Sequence, residues 1–422
     1  MRWPHMSPIF PWCEMPVGKT SIHRVSALYG AIVVVALAAG VDLYVNLLQV
    51  PNPFWDFRTY FVALHAADIG LNPYSLRILK GIDPLVRFPF IYPPDILWFF
   101  RDIIAVTYKS VLRVYLFGLV ISFAVIYSLQ YALLFQRCER WILATALIAT
   151  LGRVTFKAFL TGNIAIPIYG CLVLGLWALV RGRAAWFYGA ILIASQFKFL
   201  FLSFLLVPLI LSPAESFWPA SMVVVVYGIE TLAMRWTNPG LFANFLSADS
   251  TQFMYEFYHE HNGLFGLASY FVGSVFDISG AGPFAVGFAA ALYGIFIATI
   301  VLTASCCVAP YRRVHTVPLA KEPLAYLWLS AALCFPRLGT YDLPALILPV
   351  ACLIKLAIWR SPGALVASGL AMGLLIGLCL LNPGHLFTIY VINDPIYVLL
   401  FTFWALVSYQ MQSRYRFHAD LP

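Results

Sequence analysis

The chain has 422 residues, of which 62% are apolar and only 10% charged, with a formal net charge of +8 and a mean hydropathy of +0.85. A soluble domain carries roughly 25% charged residues, so this composition excludes intrinsic disorder and a water-soluble globule. The basic residues form no Lys/Arg-rich stripe, which argues against nucleic acid as a partner, and an all-α, polytopic integral membrane protein is predicted.

The first apolar run covers 25–48, after Lys19 and Arg24. Ala36-Leu37-Ala38 looks like a signal-cleavage site, but the run is long enough for a bilayer and its polar leader is long for a signal. It is read as an uncleaved first span. A ruler of about 20 apolar residues places further spans near 111–135, 141–156, 163–180, 185–198, 199–211, 216–235, 284–307, 323–336, 343–359, 363–381 and 396–412. About twelve transmembrane helices result, in one polytopic domain covering residues 1–422, and several are too short to cross without a break or tilt. The 185–211 stretch reads as one long helix or as two half-helices meeting near Lys198.

Eight cysteines are present. Their spacing fits neither a zinc site nor a disulfide framework, and most lie in apolar runs, so they are read as small apolar fillers.

Charge sets the orientation. With a cytoplasmic N-terminus, the inner segments hold Arg2, Lys19, Arg24, Arg137, Arg140, Arg181, Arg183, Arg312, Arg313, Lys321, Arg360, Arg414 and Arg416 against five acidic residues. The whole +8 falls on that side and the rest of the chain sums to zero, the positive-inside asymmetry. Both termini are then cytoplasmic. Two outer connections, 49–110 and 236–283, are far longer than the inner ones. Connections of this length are functional or disordered, and these are too aromatic for disorder, so the working surface is predicted on the extracytoplasmic side. No repeat is visible and the two halves do not mirror each other, which counts against an inverted-repeat transporter.

The first outer connection begins VPNPFWDFRTYFVALHAADIGLNPYSLRIL. Ala63, Ala66, Ala67 and Gly70 fit a short amphipathic helix ended by Gly70 and Asn72-Pro73, lying at the membrane surface. Asp56 falls at its N-terminus beside Arg58 and Tyr60, where the helix dipole favours a carboxylate. It is either a helix cap or a catalytic carboxylate, with Asp42 its main rival for the second role. Tyr92-Pro93-Pro94 reads as a stiff re-entrant corner. The apolar stretch after it is too short to cross before Arg101 and Asp102, and is expected to pack at the membrane face.

Arg153, Lys157 and Lys198 are cations near the outer ends of apolar runs. Ionisable groups there are costly and mark functional sites by default, with a lipid-linked phosphate as a suitable counter-charge. Snorkelling toward headgroups is the plain alternative. In the second outer connection, MYEFYHEHNGLFG, His259, Glu260 and His261 lack a visible third metal ligand. Together with Asn262 they are read as facing a substrate head or water, and no metal is predicted. In CFPRLGTYDLPALILP, Arg337, Tyr341 and Asp342 stand at an outer edge, as an Arg–Asp pair closing a hairpin or as site residues. Glu230 also lies near an outer span end. No P-loop, GxSxG, HExxH or kinase pattern appears.

WDFRTYFVALHAADIGLNPYSL, FPFIYPP, TGNIAIPIYGCLVLGLWALVRGRAAWFYGAILIASQFKFLFLSFLLVPLI and PRLGTYDLPALILP follow in the order seen in glycosyltransferase family 87. The chain resembles this family, whose members are polyprenyl-phosphate-sugar-dependent membrane glycosyltransferases of the C-type superfamily, over roughly residues 25–360. The resemblance implies the C-type glycosyltransferase fold and Asp56 as catalytic base. It sets Asn163 in a Gly-Asn where many members have Gly-Gln. Lys198 matches a Lys that the family usually follows with proline, where this chain has Phe199. Tyr341-Asp342 looks like the branch carrying a Tyr-Asp pair rather than a Trp–His pattern.

The expected activity is transfer of a hexose, mannose by default, from a polyprenyl-phosphate donor to an extracytoplasmic glycan or glycolipid at the plasma (bacterial inner) membrane. Asp56 would take the acceptor proton, and Lys198 with Arg153 or Arg337 would hold the donor phosphate. Arg58, Tyr60, Tyr92, Asn163, His259, His261, Asn262, Tyr341 and Asp342 complete the expected substrate contacts. The anomeric centre would invert, and no cofactor is predicted. Trp55, Tyr60, Tyr92 and Tyr258 are aromatics suited to sugar stacking or belt anchoring. Two rivals remain. A transporter or lipid-linked sugar flippase would need a polar path to the inner face, and a polysaccharide polymerase would need an Arg-rich outer loop.

Overall fold

A computed structural model describes residues 52–135, 160–259, 265–266, 268, 272, 283–313, 321–336, 338–339, 341–358 and 395–419. Every regular element among them is helical. The expected spans at 25–48, 141–156 and 363–381 lie outside these residues, as do Asp42, Arg153, Lys157, Glu260, His261, Asn262 and Arg337.

The first outer connection is helical rather than a loop. It carries α1 (Trp55–Asp68), α2 (Leu76–Ile82), α3 (Pro94–Phe99) and a 3-10 turn at Arg101–Ala105. The predicted helix after Asp56 forms, and Gly70 ends it at φ +76, the left-handed closure that glycine reaches without strain. Its apolar face is covered by protein. Val62, Ala63, Leu64 and Ala66 pack with Tyr74, Leu79, Val86, Phe90, Tyr92, Ile96 and Leu97 into a small core of their own. That burial removes the apolar stripe that would have held α1 to a membrane surface. Trp98 and Phe99 of α3 stay 55% and 79% exposed, the feature that fits packing at a membrane face.

Helix α4 (Tyr108–Leu134) follows. Leu119, Phe123, Ile126, Tyr127, Gln130 and Leu134 are buried, a spacing of three and four that lines one helix face. Val114, Phe117, Val120 and Ile121 lie on the other face and are exposed. Helix α5 (Ala165–Val180) and α6 (Ala184–Phe197) form a tight hairpin. Gly175 permits the approach, since a Cβ there would stand 2.8 Å from Ala190 Cβ and 3.1 Å from Phe187 Cα. Arg181 stacks 3.7 Å over Trp177 at the turn.

Residues 185–211 do not form one helix. Lys198 is extended, with φ −147 and ψ 118. A 3-10 segment, Phe199–Leu205, and a short α7 (Leu206–Leu211) follow. Phe201 and Phe204 are spaced by three and fully buried, matching the three-residue period of that turn. Helix α8 (Pro213–Thr237) leads almost directly into α9 (Pro239–His259), so the second outer connection too is helical in its first part. Ala248 of α9 packs into the core of the first connection.

Helix α10 (Pro283–Arg313), α11 (Lys321–Leu333), α12 (Ile347–Ile358) and α13 (Pro395–Ala419) complete the bundle. Residues 323–333 are buried on every side, as expected of a helix apolar all round, and α11 forms the centre. The expected span at 343–359 opens instead with irregular backbone and a 3-10 turn, Leu343–Ala345. Pro349 has no N–H to give to Ala345 O, four residues before it, and side chains meet that carbonyl and its neighbour instead. Ala345 O accepts from Gln130 Nε2 at 2.8 Å and from Trp328 Nε1 at 3.1 Å. Tyr127 donates to Pro344 O. Irregular backbone survives in an apolar bundle only where it is buried and satisfied in this way.

Among the described residues, three helices are long and apolar enough to cross a membrane, at Tyr108–Leu134, Pro213–Thr237 and Val286–Tyr311. The described residues are therefore all-helical, with membrane-spanning character. Helices at 165–180 and 184–197 are apolar but shorter.

Candidate functional site

Asp56 is the second residue of α1. The N-cap of that helix is Phe54, in left-handed geometry at φ 65 and with no side-chain cap. The Asp56 carboxylate therefore does not have the N-cap place that the simplest reading offered. Its Oδ2 accepts from Asn163 Nδ2 at 2.8 Å, across 107 residues of chain. Asn163 Oδ1 accepts the Ala165 N–H at 2.9 Å, in the first turn of α5. Backbone closes around this pair. Phe54 N–H donates to Leu160 O at 2.6 Å, and Tyr115 donates to Gly162 O at 3.0 Å. Gly162 has φ +64, and a Cβ there would meet Phe57 Cβ at 3.0 Å.

One turn along α1, Tyr60 shares a hydrogen bond with Tyr92, oxygen to oxygen 3.0 Å, with the rings edge to face at 5.2 Å. Tyr92 is fixed from behind, where Tyr74 donates to its carbonyl at 2.9 Å. Both phenols face the Asp56 charge. Burial is the main cause that holds Tyr60 well above its usual value. Burial also pushes Tyr92 up to about 12, although the nearby Lys198 charge pulls it down. Both are therefore neutral hydroxyls at ordinary pH.

Lys198 reaches the same place from the break after α6. Its Nζ stands 4.7 Å over the Tyr341 ring, within cation–π range, and it faces Tyr92. The Tyr341 ring in turn covers Gly339, where a Cβ would fall 2.6 Å from the ring. The structure thus brings together Asp56, Asn163, Tyr60, Tyr92, Lys198 and Tyr341. A carboxylate and a primary ammonium both act on Tyr92, whose neutral hydroxyl shares a hydrogen bond with Tyr60.

Other expected residues are placed elsewhere. Arg58 bonds Asp83 at 2.8 Å and lies 5.2 Å from the Tyr108 ring. Two residues along a helix is about 200° round its axis, so Arg58 projects away from Asp56. Asp342, 4% exposed, turns into the protein. Its Oδ2 accepts Gly339 N–H at 2.7 Å, closing its own turn, and it faces Tyr169. His259 closes α9, while Arg153, His261, Asn262 and Arg337 lie outside the described residues.

The sequence reading passed over Tyr115, Gln196, Asp95 and the Trp55–Arg87 stack. Gln196 donates to Glu230. Burial, and then the Glu230 charge, raises the Asp95 carboxyl. Arg87 covers one face of Trp55 at 4.6 Å, which takes that face from sugar stacking. Tyr115 and Gln196 sit inside apolar runs, and only their long-range partners give them away.

No family model matches the chain, and neither does any curated protein or solved structure.

Proposed function

We propose that the chain is an integral-membrane glycosyltransferase that moves a hexose from a polyprenyl-phosphate donor to an extracytoplasmic glycan or glycolipid. The observation that carries this reading is the placing of Asp56 and Lys198 around Tyr92, which is hydrogen-bonded to Tyr60. These side chains come from segments that the sequence alone had marked, and that resemble glycosyltransferase family 87.

In this reading the chain crosses the membrane about twelve times, as its apolar runs allow, and the site opens on the outer side of the plasma membrane. The donor's lipid tail lies among the spans and its phosphate is held at Lys198. The ammonium is a fixed positive charge where negative charge grows as the phosphate leaves, and preorganised charge of this kind lowers the barrier. Asp56 accepts the proton of the acceptor hydroxyl as that oxygen attacks the anomeric carbon from the opposite face. The bond to the phosphate breaks, the new glycosidic bond forms, and the configuration inverts. General-base help of this kind contributes roughly 10²–10⁴-fold. Tyr60 and Tyr92 supply neutral hydroxyls for the sugar. Mannose is the default sugar.

The test is incubation of the purified protein with polyprenyl-phosphate sugars and a range of acceptors, with products read by mass spectrometry. Glycosylated acceptor and free polyprenyl phosphate are expected. Intact donor moved across a vesicle bilayer, with no bond broken, would replace this reading with transport.

A further inference from the structure

The orientation of Asn163 restricts the chemistry of Asp56. The Ala165 N–H can only donate, so the atom facing it must be the Asn163 oxygen. The amide NH2 therefore faces Asp56 Oδ2, and it too can only donate. Oδ2 must accept, and an ionised carboxylate oxygen accepts more strongly than a protonated one. Asn163 itself has little room to adjust. It is 5% exposed, follows a left-handed Gly162, and stands at the start of a 16-residue helix.

We propose that Asn163 is a positioning residue that holds Asp56 in its ionised, proton-accepting form by fixing an N–H donor on Oδ2. This deepens the reading of Asp56 as general base and rests on it. Among the described residues, the groups near Asp56 include the phenols of Tyr60 on its own helix, Tyr92 ahead of α3 and Tyr115 on α4, with the Lys198 ammonium on the far side of Tyr92 as a charge common to parent and variants. A donor to the charged form favours that form, and its loss shifts the balance toward the protonated acid.

Asn163→Asp is the sharpest probe. One oxygen still accepts the Ala165 N–H, while the other is set against Asp56 Oδ2, and two carboxylates at that distance share a proton. The acid limb of the pH–rate profile should move up by about one unit or more, with the rate largely recovered on the alkaline side. Asn163→Ala should move the limb the same way by less. A uniform fall in rate with an unmoved limb would show a merely structural role and overturn the proposal. A second readout needs no turnover. In protein carrying 13C-labelled aspartate, the infrared carboxylate band lost in Asp56→Asn is titrated in the Asn163 background. Its midpoint should rise in Asn163→Asp and, by less, in Asn163→Ala. An unmoved midpoint in whichever variant folds overturns the positioning role. Undiminished turnover of Asp56→Asn would remove the base reading alone, and the infrared titration would still decide the role of Asn163.

Discussion

The contacts described on the two halves of the site differ in kind. On the carboxylate side the described contacts are directional. Asn163 holds Asp56 Oδ2 at 2.8 Å, is itself held by the Ala165 N–H at 2.9 Å, and stands beside the Phe54–Leu160 backbone bond at 2.6 Å. On the cation side, Lys198 rests over an aromatic face at 4.7 Å, a contact with broad angular tolerance. A general base must meet one proton along one line, whereas a phosphate is attracted by charge over a wider volume. The first half is therefore built for precision and the second for reach.

The largest effect should come from the base. Asp56→Asn keeps the shape and removes the charge, and turnover of a polyprenyl-phosphate sugar should fall by about 10²–10⁴-fold, measured as product formed at saturating donor. Turnover within a few-fold of the parent would end the base role and promote Asp42.

Lys198→Ala should cost somewhat less, on the order of 10²–10³-fold. Lys198→Arg should recover much of that loss, because a cation over a ring tolerates a change of headgroup. Should arginine prove as poor as alanine, the cation side is as directional as the carboxylate side and the contrast between the halves fails.

Paired glycine substitutions compare the two halves directly. Gly162→Ala meets Phe57 Cβ at 3.0 Å in a left-handed conformation, which costs a non-glycine residue roughly 1–2 kcal/mol. Thermal unfolding in detergent should shift down and the maximal rate should drop several-fold. Gly339→Ala pushes on the Tyr341 ring at 2.6 Å, which can rotate with Lys198. Its effect should appear mainly as weaker donor binding, read as a raised KM with the maximal rate little changed.

The smallest effect concerns Tyr92. Its hydroxyl is held up to about 12 chiefly by burial, against 10.0 ordinarily. A raised acid favours the folded state fully below its unfolded value, and that contribution is lost as pH climbs through the folded one. Stability should therefore decline between pH 10 and about 12. Tyr92→Phe should flatten that part of the thermal-stability profile while leaving the neutral region within about 1 kcal/mol. An unchanged alkaline slope would mean that other buried tyrosines carry the whole effect.

Much of this site was legible as single residues. A carboxylate just after the first apolar run, a lysine inside another, and tyrosines beside prolines stand out because charge is so scarce, at 10% of the chain. The break at Lys198 was one of two readings, and it occurs without the proline that the resembling family places there. Arg58 and Asp342 stood out for the same reason as Asp56, yet their partners absorb them. Charge scarcity marks a residue without saying whether its partner is a substrate or another side chain.

The sequence by itself determined the helical class, the apolar runs, the clustering of basic residues in short connections and the short list of other ionisable groups. These are local or compositional properties, set by the cost of placing charge and bare backbone in an apolar medium. Only the tertiary structure decided which of those groups meet. Asn163 reaches Asp56 across 107 residues, and the Ala165 N–H turns the amide so that it donates. No local pattern encodes a contact of that range, because it depends on where α1 and α5 come to rest against each other.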